Sequence, residues 1–359
     1  MNRHNQFKIL RESPLPLYVQ LKEIIKQQIA EGILKEGTPL PSERELCKIY
    51  NISHITVRQA LVELTKEGIL FRVPGRGTFV KGKEEQEETQ LLPIALVIPE
   101  SKNGFSSPFV FELIRGIKSV ITKHNYSLLV YTEGESEYLI DSSTGKIKGV
   151  ILTDPQVKDT RIVMLKKKGI TQVIIGRADE ENVYSVDNDN FEVGYKLTEH
   201  LIERGCKKIG FISGPFYFTV SQDRLQGYRE SLERNNIPFD ETIVKYGDFS
   251  EKNGYENGME LLEKGVDGIF CCDDFIALGV LKSAKEKKVK IPQEVKVAGC
   301  NNSPFTSHTH PSLTTFDIFP YILGKKAAEK IIKLLKGEKV EERTIVKGEL
   351  IVRESTQRR

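Results

Sequence analysis

Leu40–Val80, LPSERELCKIYNISHITVRQALVELTKEGILFRVPGRGTFV, reads as helix, turn, helix and a small hairpin. Ser42 with Glu45 three residues on has the capping-box spacing that opens a helix. Asn51-Ile52 makes the turn, and Ser53 caps a second helix that stops at Gly68. There Val57, Ala60, Leu61 and Leu64 recur at helical spacing and form a buried stripe. At about 100° per residue, Ile55, Gln59 and Val62 lie opposite, with Thr56 and Arg58 on the flanks. An outward Ile55 beside Thr, Arg and Gln suits a surface that meets base edges. Ile69–Val73 and Gly77–Lys81 alternate as strands around Pro74-Gly75-Arg76-Gly77, a narrow turn with one cation at its tip.

Upstream, Pro14 and Pro16 lead into a helix over Leu17–Glu31 with Leu17, Leu21, Ile24, Ile25 and Ile29 on its apolar side. Downstream, KGKEEQEETQ is rich in glutamate, lacks apolar residues and reads as a linker. Three segments follow: a head over 1–81, a linker over 82–92 and a body over 93–359. The 359 residues carry a net charge of only +3. Its distribution says more: residues 1–82 hold 13 basic and 8 acidic side chains, the remainder 40 and 42. A basic head on a slightly acidic body fits a head that meets phosphates.

The body alternates short apolar strands with amphipathic helices from Ile94 onward, through strands at Gly149–Thr153, Lys208–Ser213 and Gly268–Cys271. This rhythm implies an α/β fold of two doubly wound parallel sheets, with ligands bound between them at the carboxyl ends of the strands. A last helix over Tyr321–Lys336 is followed by a basic tail. Just after strands or at helix starts stand Phe109, Arg177, Arg224, Phe249, Asp273 and Asn301. The two rings suit the apolar face of a sugar ring, and the polar four suit its hydroxyls. Asp274 reads as a helix cap instead.

The five cysteines form no CxxC or Cys/His ligand spacing and read as reduced thiols that pack. The polar start MNRHNQFK lacks a signal-peptide pattern, and no apolar run is long enough to span a bilayer; a cytoplasmic protein without a membrane anchor is expected. The six histidines are dispersed, and His308-x-His310 has no accompanying carboxylate or cysteine cluster, so no metal is expected. No G-x-S-x-G, Walker A or strand-end G-x-G-x-x-G occurs, and no catalytic residue or cofactor is expected.

Four motifs in order, Pro16–Leu21, Leu40–Leu46, Thr56–Leu61 and Gly75–Val80, resemble the winged helix-turn-helix head of the GntR family of bacterial regulators. The body over Leu92–Ser355 resembles the effector domain of the LacI/GalR regulators, through stretches such as Ser185–Asn188, Glu199–Gly205, Asp223–Tyr228, Gly247–Ser250, Asp273–Gly279 and Glu349–Ser355. The first resemblance implies DNA contacts by Arg44, Ser53, His54, Ile55, Thr56, Arg58, Gly75, Arg76 and Gly77. The second implies a small arabinose-like sugar bound between two lobes and a homodimer on a double-stranded DNA operator. The sequence departs from the family at His54, where heads commonly carry Arg, and at Cys300-Asn301-Asn302, where bodies usually carry Tyr/Phe-Asp-Asp. The function expected is a sequence-specific repressor of sugar-utilisation genes; the alternative is a DNA-binding head fused to a small-molecule enzyme domain.

Overall fold

The structure is a computed structural model that describes residues 7–73, 76–81, 92–99, 107–135 and 147–357. The chain divides into two compact units, Met1–Gln90 and Leu91–Arg359. The expected linker lies outside the described residues except for Leu92, which opens a strand.

The first unit packs α1 (Leu17–Ala30), α2 (Glu43–Tyr50) and α3 (His54–Lys66) on the hairpin β1 (Leu70–Val73) and β2 (Gly77–Val80). The Ser42 hydroxyl accepts from Glu45 N, and the Glu45 carboxylate accepts from Ser42 N at 2.7 Å, closing the capping box. Asn51 takes the left-handed conformation that ends α2, and Ser53 Oγ accepts from Thr56 N at 3.2 Å to start α3. The stripe Val57, Ala60, Leu61 and Leu64 is buried against Leu21, Ile25 and Leu46. Leu70 pairs with Val80 and Phe71 with Phe79. The tip residues Pro74 and Gly75 lie outside the described residues.

The second unit has two lobes. The first lobe's sheet runs β13-β7-β6-β5-β3-β4, with β3 Leu92–Ile98, β4 Tyr126–Thr132, β5 Gly149–Thr153, β6 Thr171–Ile175, β7 Ser185–Asp187 and β13 Arg343–Ile345. Its strands pair in parallel throughout. The second lobe's sheet runs β14-β12-β11-β10-β8-β9, with β8 Ile209–Ser213, β9 Val244–Tyr246, β10 Gly268–Cys271, β11 Lys296–Cys300, β12 Thr314–Asp317 and β14 Glu349–Ile351. Here β14 alone is antiparallel. The segment read as a basic tail is therefore a correction: it adds β13 to one sheet and β14 to the other. Neither strand has enough apolar residues to signal itself; both are specified by the edges they pair with.

Helices α4 (Pro108–Ile121), α5 (Thr160–Lys167) and α10 (Pro320–Leu335) serve the first lobe, and α6 (Asn190–Glu203), α7 (Thr219–Arg234), α8 (Glu251–Glu263) and α9 (Asp274–Glu286) the second. Three helix pairs meet through glycine on each side. A Cβ at Gly194 of α6 would lie 2.1 Å from the Arg224 carbonyl oxygen on α7, and one at Gly227 of α7 2.1 Å from that of Phe191. Gly116 with Gly324 does the same for α4 and α10, and Gly254 with Gly279 for α8 and α9. Backbones this close leave no room for a side chain, which fixes where each pair crosses.

Candidate functional site

Both sheets of the second unit turn their strand carboxyl ends towards one cavity, as open α/β sheets do. Its volume is about 120 Å³, room for about four waters at roughly 30 Å³ each. Phe109, Arg224, Phe249, Asp273 and Asn301 all line it. Arg224 is buried in the wall; its Nε donates to Asn190 Oδ1 at 3.0 Å and its Nη1 to the Cys272 carbonyl at 2.5 Å. Nη2 has no hydrogen-bond partner among the described residues. Phe249 lays its ring over Gly214, where a Cβ would stand 2.2 Å from the ring, and stacks at 6.3 Å on Phe218.

Asp273, not Asp274, caps α9: its Oδ1 accepts from Phe275 N at 2.7 Å, and its Oδ2 from Asn301 Nδ2 at 2.6 Å. Asp274 is the first helical residue, fully buried, and accepts from Ser303 N and Thr315 Oγ1, each at 2.7 Å. The extended backbone at Asp273 turns its carboxylate back over the helix start, which explains the exchange of roles. Burial pushes both carboxyls above the usual range. It pushes Asp187, another lining residue, up to about 7 despite the nearby Arg343. Asp187 and Asp273 line the cavity and can accept hydroxyl hydrogens there, whereas Asp274 is taken up by Ser303 and Thr315.

Arg177 does not line the cavity, which corrects the expectation. It follows β6 in the first lobe, and its Nε reaches Asp223 of α7 at 3.0 and 2.9 Å, with Asp179 beside Nη1. A guanidinium committed to two carboxylates has little left for a ligand. It ties the lobes together instead. Sequence reasoning missed Asp154, Asn188 and Asn190. Asp154 directly follows a strand and could have been found by that rule. Asp154 and Asn301 both have left-handed backbones, φ 48° and 109°, the kind of rare conformation that collects at functional sites. Cys272 also lines the cavity, but burial pushes its thiol, and that of Cys300, up to about 12, so both pack as neutral groups. Among the described residues, no group of three or more side chains could hold a metal ion. Nor is any helix among them long and apolar enough to cross a membrane.

In the first unit, Ile55 is 78% exposed, with His54, Arg58, Arg44, Arg76 and Gly77 also on the surface. Ser53 and Thr56 are joined by their hydroxyls at 2.7 Å and shape the start of α3. Gly75 falls outside the described residues. No ion pair engages Arg44, Arg58 or Arg76 among the described residues, so each is available to phosphate or base. His54 is committed: its Nε2 lies 2.9 Å from the Glu43 carboxylate, which also takes Arg72 of the hairpin at 3.3 Å. One carboxylate thus joins α2, α3 and β1. Glu43 was legible only as part of a helix start.

A winged helix-turn-helix with free surface cations, joined to a two-lobed unit around a polar and aromatic cavity, defines a transcriptional regulator that combines DNA binding with a small-molecule site. Residues 17–80 match the family described as "Bacterial regulatory proteins, gntR family", and residues 198–356 match "Periplasmic binding protein-like domain". The HTH-type transcriptional regulator CelR of Thermobifida fusca is 31% identical over 273 residues, 73% of this chain and 80% of CelR. The arabinose metabolism transcriptional repressor of Geobacillus stearothermophilus is 28% identical over 97% of this chain and 99% of its own length. A solved structure titled "transcriptional regulator CelR-cellobiose complex" superposes with a TM-score of 0.70 at 29% identity, covering 85% of this chain and 91% of that one. The chain belongs to the bacterial transcriptional regulators that join a gntR-family helix-turn-helix domain to a periplasmic-binding-protein-like, LacI-type domain. The enzyme alternative finds no support in these relatives.

Proposed function

We propose that this regulator represses sugar-utilisation genes in the cytoplasm and leaves its operator when a small sugar occupies the cavity. The observation that carries this reading is the cavity wall: two half-buried phenylalanine rings with Arg224, Asp273 and Asn301 at the strand ends of two lobes. Rings take a sugar's C–H face, and the polar groups take its hydroxyls. The relative aligned over nearly the whole chain is named for arabinose metabolism. An arabinose-like sugar is therefore our choice of effector. It binds the closed arrangement of the lobes better than the open one, and operator affinity falls by the same linkage. Two chains pair on a two-fold operator. A thermal-shift screen of the full chain with L-arabinose, other monosaccharides and cellobiose tests the reading. L-arabinose at about 100 times its Kd should stabilise by about 2.7 kcal/mol. No shift with any of these sugars would overturn the sugar effector, and a shift with cellobiose alone would overturn the arabinose-like choice.

Two further results are expected. Arg177→Ala should weaken sugar binding about three- to tenfold and reduce its salt dependence, because the Arg177–Asp223 pair spans the lobes. Asp223→Ala should match it, and the double variant should add little; additive losses in titration calorimetry would contradict the pair. On the head, wild type should select A·T at the base pair facing His54-Ile55. His54→Arg should shift that preference towards guanine, since Arg grips O6 and N7 bidentately. Selection from random DNA decides, and identical preferences would remove position 54 from readout.

A further inference from the structure

Three segments carry the chain between the lobes of the second unit. They lie between β7 and α6, between β12 and α10, and between β13 and β14. Asn188 sits on the first and is almost fully buried. Its Nδ2 donates to the Ile318 carbonyl at 3.1 Å on the second, 130 residues away. It also donates to the Val346 carbonyl at 2.8 Å on the third, 158 residues away. An amide nitrogen has two hydrogens, and both are spent on the two other crossings. Because both partners only accept, the amide orientation is fixed, and Oδ1 faces away from them. Oδ1 has no hydrogen-bond partner among the described residues, and Asn188 lines the cavity, as does Ile318.

We propose that Asn188 couples the cavity to the hinge: its amide nitrogen staples the three crossings, and its amide oxygen accepts a hydrogen bond from a hydroxyl of the bound sugar. The second half rests on the sugar reading above. The amide oxygen is open to the cavity, so a ligand hydroxyl there donates to it in place of solvent. Accepting that bond polarises the amide and strengthens its two donations. Occupancy of the cavity then tightens all three crossings at once, and the hinge responds without a separate relay.

The test uses the full chain and two variants. Asn188→Ala removes both roles, whereas Asn188→Asp keeps an oxygen towards the cavity but loses the donors. In ligand-free hydrogen–deuterium exchange, both should speed exchange in peptides covering residues 186–191, 317–322 and 345–350 together, with the head unchanged. Acceleration confined to the peptide around residue 188 would overturn the staple. Calorimetry with L-arabinose, D-ribose and cellobiose then reads the contact. Asn188→Ala should bind the sugar that wild type takes about three- to tenfold more weakly. Asn188→Asp should bind it more tightly than the alanine variant, yet release operator less completely at saturation. Wild-type affinity in Asn188→Ala would overturn the contact. If wild type binds none of the three sugars, the sugar reading and the contact fail together, and the exchange data alone decide the staple.

Discussion

Arg224→Ala is expected to abolish the response to the effector while operator binding stays at the wild-type level. Arg224 is the guanidinium in the cavity wall, 4% exposed, held by Asn190 and the Cys272 carbonyl. Removing it strands those two acceptors and leaves the Asp154 and Asp273 carboxyls without the cation that faces them. Truncating a buried, hydrogen-bonded charge in a binding site costs about 2–5 kcal/mol of binding free energy, so sugar affinity should fall by about thirtyfold or more. Arg224→Lys should rescue little, because an ammonium cannot span both partners as a planar fork does. The head has its own core, built on Leu21, Leu46, Val57 and Leu64, and should fold and bind DNA regardless. Titration calorimetry with sugar and fluorescence anisotropy with operator DNA read the two halves separately. Sugar binding at wild-type strength in Arg224→Ala would remove this residue from the site.

Gly194→Ala should damage the same site without touching any lining side chain. The added methyl would stand 2.1 Å from the Arg224 carbonyl oxygen. Relieving that clash moves α6 and α7 apart by about 1 Å or more and costs at least about 3 kcal/mol, at the top of the range for overpacking. Arg224 rides on α7, so its guanidinium leaves the geometry that Asn190 and Cys272 define. The folded variant should bind sugar more than about tenfold more weakly, in keeping with the cost of small misplacements in a preorganised site. Gly258→Ala is the comparison: its methyl meets Ser283 Oγ at 2.5 Å in the α8–α9 contact, away from Arg224. It should lower the melting temperature and leave sugar affinity within about threefold of wild type. Equal affinities for Gly194→Ala and wild type would show that this helix crossing does not position Arg224.

The head was legible because its signals are local. The capping box at Ser42 and Glu45, the cap at Ser53 and the stripe from Val57 to Leu64 each operate within one or two helical turns, and each stands in the structure where the spacing put it. Strands β5 and β10 coincide with the expected Gly149–Thr153 and Gly268–Cys271. Strands β7, β12, β13 and β14 were not read, since each is short and none carries three apolar residues in a row as the equally short β10 does. A period cannot declare itself in so short a run; β13 forms because residues 343–345 find the edge of β7 at 185–187.

By itself, then, the sequence determined the two-part architecture, the doubly wound body and five of the side chains that line the cavity, because periodicity and strand-end position are properties of contiguous residues. Only the tertiary structure decided how those side chains are used. Arg177 and Arg224 look alike along the chain, each an arginine near the end of an element. One finds Asp223 across the lobes and the other finds Asn190 and Cys272 in the wall. Asn188 passes for an ordinary polar residue until the carbonyls of Ile318 and Val346 arrive beside it. Hydrogen bonds and close backbone approaches are pairwise and short-ranged. Which partner a group meets is settled by folding that brings together residues from 34 to 158 positions apart, and no local pattern records it.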